Sequence, residues 1–396
     1  MPRDLSLRRI ADALVALSFV AALATPVAFG ASMEWLYGET DGPIRRPVDD
    51  QRGLFLLGED GVLRTRPGWR GSHRVGDRTV TVRMNGLGLR GPEIRVDGDD
   101  GAARVLVIGD SFPWGFGVGD DETFPAVLES QLAGRRGGDV VVGNAGAPGR
   151  GTVDQIAIAV DYRATFRPDV VVSCVNLGND FQDDAVRDTR IFAGSVVTGP
   201  TARFVAGSWR ARLAATFQLP FFFEQAIDTF LPVWSIDRAE LMVRTPAERE
   251  AERLLPPPAA RRGGVFLDRI EPTAELLELG EHFDETLRSL RERVAPARLL
   301  VVLIPSLDQV MPADFDRALR SMGFDASEFE RGTGCRRLAA RCARLGVDCV
   351  DLWPLLQQGP RPRARWILHN RHFSVAGHRD VATWLAPRVS QLLGDR

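Results

Sequence analysis

The sequence predicts an α/β fold around a parallel β-sheet, and three observations predict it. Short, predominantly apolar runs recur at Ala103–Gly109, Asp139–Gly143, Pro168–Val175 and Arg298–Ser306, as in strands buried on both faces. Helix-length stretches separate these runs, a rhythm that calls for right-handed crossovers between parallel strands. The first three runs each end in a turn rich in Gly, Asp and Asn, the end of an open sheet where ligands bind. Together they indicate a flavodoxin-like sheet.

The elements follow in order. The chain begins with Arg3, Arg8 and Arg9 and then runs from Ala13 to Ala31, 19 residues without a charge. A basic start before an apolar run is an export signal, and the length is near that of a spanning helix. Residues 1–32 are therefore expected to be a signal anchor, or a signal peptide cut near Ala22-Leu23-Ala24 that releases the protein. Either way, the rest of the chain is expected outside the cytoplasm. Residues 33–100 read as a small β-rich preface, with Arg78–Met84 alternating at the two-residue period of a half-buried strand. Residues 101–396 form the main domain. Helices are expected at Thr123–Leu132 and Val153–Thr165 between its first strands. The alternation stops at about residues 190–265, where a Phe-rich, Pro-terminated stretch is read as a helical insertion capping the strand ends. It resumes with helix Thr273–Val294, the strand from Arg298, helix Gly334–Leu345, a last strand at Val347–Leu352 and a closing helix from Ser374 to Gly394.

Composition narrows the function. A length of 396 residues suits one large domain with additions, or two domains. An apolar fraction of 44% and a charged fraction of 26% are ordinary for a globular chain. A net charge of −2 argues against a nucleic-acid partner, which would require a basic excess. The 50 basic residues are all arginine, most simply a reflection of a GC-rich genome. The four cysteines contain no C-x-x-C pair, so a zinc ribbon or thioredoxin-type site is not expected. Cys335 and Cys342 sit about two helical turns, roughly 10 Å, apart, too far for a bridge between them. A bridge from either to Cys349 and buried free thiols both stay open.

Chemistry concentrates at the strand ends. Gly109-Asp110-Ser111-Phe112 closes the first strand, so Ser111 presents its hydroxyl at the sheet edge, with Asp110 in support. The plainer reading of Asp110 and Ser111 is a helix cap. A serine nucleophile needs a base, and His372, in the loop before the closing helix, is the best of five histidines. His378 follows it by six residues, which does not fit a metal pair on one helix face, and is expected to be structural. No metal or organic cofactor is required. Two segments offer donors for an oxyanion: Asn144–Gly151, whose glycines allow close backbone approach, and Gly178-Asn179-Asp180, where Asn179 carries an amide.

Ser111, Gly149, Asn179 and His372, in this order and at successive strand ends, resemble the four blocks of the SGNH (GDSL-type) hydrolases over about residues 103–395. The resemblance implies a three-layer α/β/α sandwich and a Ser111–His372 pair. It also implies an oxyanion hole from the Ser111 and Gly149 N–H groups and the Asn179 amide. It implies an ester-hydrolysing enzyme working through an acyl-serine, with a small-molecule or polysaccharide ester as partner. The preface and anchor are similar to those of exported members linked to envelope polysaccharide acylation. The family usually has an aspartate two or three residues before the histidine; here those positions are Asn370 and His369, and Asn370 is the remaining candidate to orient His372. Two alternatives stand beside the esterase: an O-acyltransferase of envelope polysaccharide, and a non-catalytic polysaccharide- or assembly-binding protein.

Overall fold

The structure, a computed structural model, describes residues 53–75, 78–94, 96, 101–136, 139–185, 189–192, 195–198, 264–368 and 370–394. All of them belong to one compact unit, Val48–Ala202 with Ala247–Arg396. The apolar run Ala13–Ala31 and most of the expected insertion lie outside the described residues. Among the described residues no helix is long and apolar enough to cross a membrane.

The chain opens with two hairpins. Strand β1 (Phe55–Leu57) pairs antiparallel with β2 (Leu63–Thr65), and β3 (Arg70–Val75) with β4 (Arg78–Arg83). The main sheet begins at β5 (Ala103–Gly109), followed by the short helix α1 (Ser111–Trp114), helix α2 (Phe124–Arg136) and β6 (Val140–Gly146). Helix α3 (Asp154–Thr165), strand β7 (Val170–Asn176) and helix α4 (Asp180–Ala185) come next. Where a helical insertion is expected, its first residues form a hairpin of β8 (Thr189–Phe192) and β9 (Ser195–Thr198) instead. Helix α5 (Ala274–Val294) feeds β10 (Arg298–Ile304), then α6 (Leu307–Val310) and α7 (Pro312–Ser321). Helix α8 (Thr333–Arg344), β11 (Asp348–Asp351), α9 (Trp353–Leu356), the small hairpin β12 (Trp366–Ile367) and β13 (His372–Phe373), and α10 (Val375–Leu393) complete the chain.

The five main strands are all parallel, in the order β6-β5-β7-β10-β11. Numbered along the chain this order is 2-1-3-4-5, so the winding reverses between β5 and β7 and opens a crevice at their carboxyl ends. Each strand alternates its side chains between two cores. Val105, Val107, Val172 and Val302 face α2 and α10 through Phe124, Leu128, Leu385 and Val389. Leu106, Ile108, Val171 and Val301 face α3, α5 and α8 through Ile158, Phe283, Leu287 and Leu338. This is a three-layer α/β/α sandwich, and its double-sided burial is why the strands read as predominantly apolar runs. Helix ends are fixed locally: the Thr273 hydroxyl accepts the Leu276 N–H ahead of α5, and the Ser374 hydroxyl accepts the Gly377 N–H ahead of α10.

The hairpins of the preface pack Leu54, Phe55, Leu63, Val82 and Met84 around Trp114, the last residue of α1. Arg90, 5% exposed, enters the same place. Its guanidinium donates to the carbonyls of Trp114 (2.5 Å), Gly115 (2.9 Å) and Val118 (2.7 Å) and to Asp120 Oδ1 (2.9 Å). A second buried guanidinium, Arg150, reaches back from the loop after β6 to the carbonyls of Leu63 (2.8 Å) and Ala145. Burial without a carboxylate bonded to it brings the Arg150 group down to about 10.

Candidate active site

The site grows from the end of β5. Gly109 has φ +147°, and a Cβ there would stand 2.9 Å from both Cys174 Cβ and Pro113 Cγ, so only glycine lets the chain turn this close to β7. The next residue, Asp110, is fully buried and caps α1: its Oδ1 accepts the Phe112 N–H at 2.9 Å. Capping by Asp110 and presentation of Ser111 turn out to be one arrangement rather than rival readings. With Asp110 turned inward, the Ser111 hydroxyl faces outward, 2.8 Å from His372 Nε2.

His372 is carried by the β12–β13 hairpin, just before α10. Its ring stacks on Phe116 (4.6 Å between centroids, 25° between planes) and lies 5.2 Å from the Phe112 ring. Arg371 beside it holds φ +64°, an unusual conformation for a side-chain-bearing residue, and is ion-paired with Asp308. Asn370 acts on the backbone: its Oδ1 accepts the His372 N–H at 3.1 Å. Asp380, the nearest later acid, is turned away and pairs with Arg365 Nε at 2.6 Å. His378 is structural, as expected. It is buried, its Nδ1 accepts the Phe124 N–H at 3.1 Å where α2 begins, and burial brings it down to about 3, which keeps it neutral.

A chain of amides and carboxylates runs from Asp110 under the crevice. Asn176, the last residue of β7, donates from Nδ2 to Asp110 Oδ2 (2.8 Å) and to Asn179 Oδ1, while its own Oδ1 accepts the Gly178 N–H (2.9 Å). Asn179 donates from Nδ2 to Asp183 Oδ2 at 2.5 Å. Burial raises the carboxyl groups of Asp110, Asp180 and Asp183 above the ordinary range, and the neighbouring charges Asp110 and Asp184 take Asp183 to about 7.

Ser111, Asn179 and His372 line one cleft of about 370 Å³, with Val265, Leu307 and Met322 as apolar wall and Asn370, Arg371 and Asp308 as polar rim. Gly149 does not line it. Its backbone is left-handed (φ +73°), and it lines a second cleft of about 430 Å³ together with Asp183 and Asp184. The sequence reading missed Asn176 and Asp183. The only trace of Asn176 is a polar residue closing a mostly apolar strand; Asp183 looks like any acid in the run 180–184. Among the described residues no group of three or more His, Cys, Asp or Glu could hold a metal ion. All four cysteines are free, and Cys174, Cys335 and Cys342 are buried.

A family model described as GDSL-like lipase/acylhydrolase matches residues 107–379. Among solved structures, the chain is similar to a lipase/acylhydrolase from Enterococcus faecalis at 11% identity, TM-score 0.38, covering 74% of this chain and 98% of that one. It is similar to a carbohydrate acetylesterase family member from Sinorhizobium meliloti (14%, TM-score 0.37, 74% and 99% covered). An inhibitor-bound aryl esterase from M. smegmatis is similar at 16% (TM-score 0.36, 74% and 100% covered). No curated protein sequence matches significantly.

Proposed function

Since the chain belongs to the GDSL-like lipase/acylhydrolase family and is an ester-hydrolysing enzyme, we propose that Ser111 is its nucleophile and His372 its general base, acting on O-acyl, chiefly acetyl, groups of a carbohydrate or small ester outside the cytoplasm. The observation that carries this is the 2.8 Å approach of His372 Nε2 to Ser111 Oγ at the end of a parallel strand. His372 takes the hydroxyl proton as Oγ attacks the ester carbonyl. The Ser111 N–H and the Asn179 amide stabilise the oxyanion. The imidazolium then returns the proton to the departing alkoxide, leaving an acyl-serine. Water, deprotonated by His372, attacks that ester; collapse releases the carboxylic acid and restores Ser111.

The wall of Val265, Leu307 and Met322 suits a short acyl group, and the rim of Asn370, Arg371 and Asp308 suits a hydroxyl-rich alcohol. The ring stack on Phe116 holds the imidazole, and the Asn370 bond to the His372 N–H holds the backbone that carries it. Arg3, Arg8, Arg9 and the apolar run behind them support an exported, membrane-anchored enzyme. The test is a fluorophosphonate label with p-nitrophenyl acetate turnover. Wild type should be labelled and active, and Ser111→Ala should be neither; full turnover by Ser111→Ala would exclude Ser111 as nucleophile.

A further inference from the structure

Asn179 can serve an oxyanion only if its NH₂, and not its carbonyl, is turned to the cleft. A free amide has two nearly isoenergetic orientations, so something must choose between them. In this site both ends are chosen. Asn176 is itself fixed by the Gly178 N–H on its oxygen and by Asp110 Oδ2 on its nitrogen, so it can only offer an N–H to Asn179 Oδ1. At the other end Asp183 Oδ2 accepts from Asn179 Nδ2 at 2.5 Å. One hydrogen of that NH₂ is thereby held, and the other is left for the cleft.

We propose that Asp183 is a positioning residue for Asn179: its carboxylate holds the amide so that the second N–H points at the developing oxyanion. The proposal rests on the reading of Ser111 and Asn179 given above. It also explains why a carboxylate is kept in a poor place for one. Asp183 lies one helical turn from Asn179, on α4, among Asp180 and Asp184 of the same helix, Asp110 from the end of β5 and Asp154 of α3. Arg64 of β2 and Arg293 of α5 line the same cleft as Asp183, while His282 of α5 stands 3.7 Å from Asp184. Burial and the surrounding acids push its carboxyl up to about 7, so the charge on the acceptor is present above that pH and lost below it. A charged acceptor makes the stronger hydrogen bond. The fit of the amide should therefore weaken as pH falls through 7.

The experiment uses the full chain with four variants assayed across pH 5–9. Asn179→Ala should lower kcat about 100-fold, the size of one lost oxyanion donor. Asp183→Ala should lower kcat about 10-fold at unchanged KM, and the double variant should be no worse than Asn179→Ala alone. Because Asp183→Ala also removes a carboxylate from a crowd of carboxylates, its Tm should stay level or rise, which a residue needed only for folding would not do. Asp183→Asn keeps an acceptor without a titrating proton. It should keep most of kcat at pH 8 and lose one ionisation from the acid limb of the pH profile. Wild-type kcat in Asp183→Ala, additive losses in the double variant, or an acid limb in Asp183→Asn as steep as wild type would each overturn the proposal. Should Asp183→Ala not fold, the Asp183→Asn profile decides. Ser111→Ala is run in parallel: activity there defeats the nucleophile assignment itself, whereas an inactive Ser111→Ala beside a silent Asp183→Ala defeats only the positioning role.

Discussion

Among single residues, the Ser111–His372 pairing that the structure brings to 2.8 Å was legible because the chain supplies few candidates: one serine in a Gly-Asp-Ser turn and five histidines. Asn176 and Asp183 were not legible, because their roles exist only in the folded hydrogen-bond chain and neither carries a local pattern. Asn370 was read as an orienter of the imidazole; in the fold it holds the His372 backbone. His378 illustrates how a buried neutral imidazole links stability to acidity. Its folded value of about 3 lies below the ordinary 6.5, so the unfolded chain takes up the proton first and stability falls as pH drops below 6.5. Between pH 7 and pH 5 this one group should cost about 2 kcal/mol. His378→Gln should remove that much of the slope, read as the change in the wild-type minus variant unfolding free energy in urea at the two pH values.

At the level of elements, most boundaries were readable because double-sided burial writes itself into the sequence as predominantly apolar runs. Helix α5 was expected at Thr273–Val294 and spans Ala274–Val294, with Thr273 as its cap. The hairpin β8–β9 was missed because the Phe-rich and Pro-rich stretches further along the insertion set its reading as helical, although Gly194 between two short β-branched runs and Gly199-Pro200 after them are turn signals. Helix α4 was missed for another reason. With six residues it is too short for periodicity to appear, and it is held by tertiary contact rather than by propensity. One such contact is Phe181 against Phe283 of α5, a T-shaped pair at 6.1 Å, with Phe283 fully buried. Phe283→Ala should lower the unfolding free energy by about 4 kcal/mol in urea titration. Because α4 carries Asp183, the surviving folded fraction should also show reduced kcat, whereas a comparable cavity at Leu392, far along α10, should reduce stability alone.

At the level of the whole molecule, the preface is tied to the sheet by charge buried among carbonyls. Arg90 closes the turn after α1 with four hydrogen bonds, and removing it leaves three carbonyls and Asp120 without that guanidinium. Arg90→Met should cost about 3 kcal/mol, in the manner of a buried pair losing one partner. Arg83, also paired with Asp120 but with its side chain 49% exposed, should cost less than about 1 kcal/mol in the same substitution. Both are read from denaturant midpoints. The sequence showed a β-rich preface but not its attachment, since nothing in the local pattern around Arg90 distinguishes it from the other arginines of a lysine-free chain.

That attachment has a consequence for inheritance. The stretch matched to the family begins at residue 107, yet the turn that presents Ser111 is closed by an arginine seventeen positions upstream of that start. Residues 107–379 moved alone into another protein would arrive with Trp114 uncovered and the carbonyls of 114, 115 and 118 unanswered. Recombination that keeps the enzyme working must therefore carry the hairpins of residues 53–96 with the sheet, and the heritable unit of this chain is longer than the family's shared core.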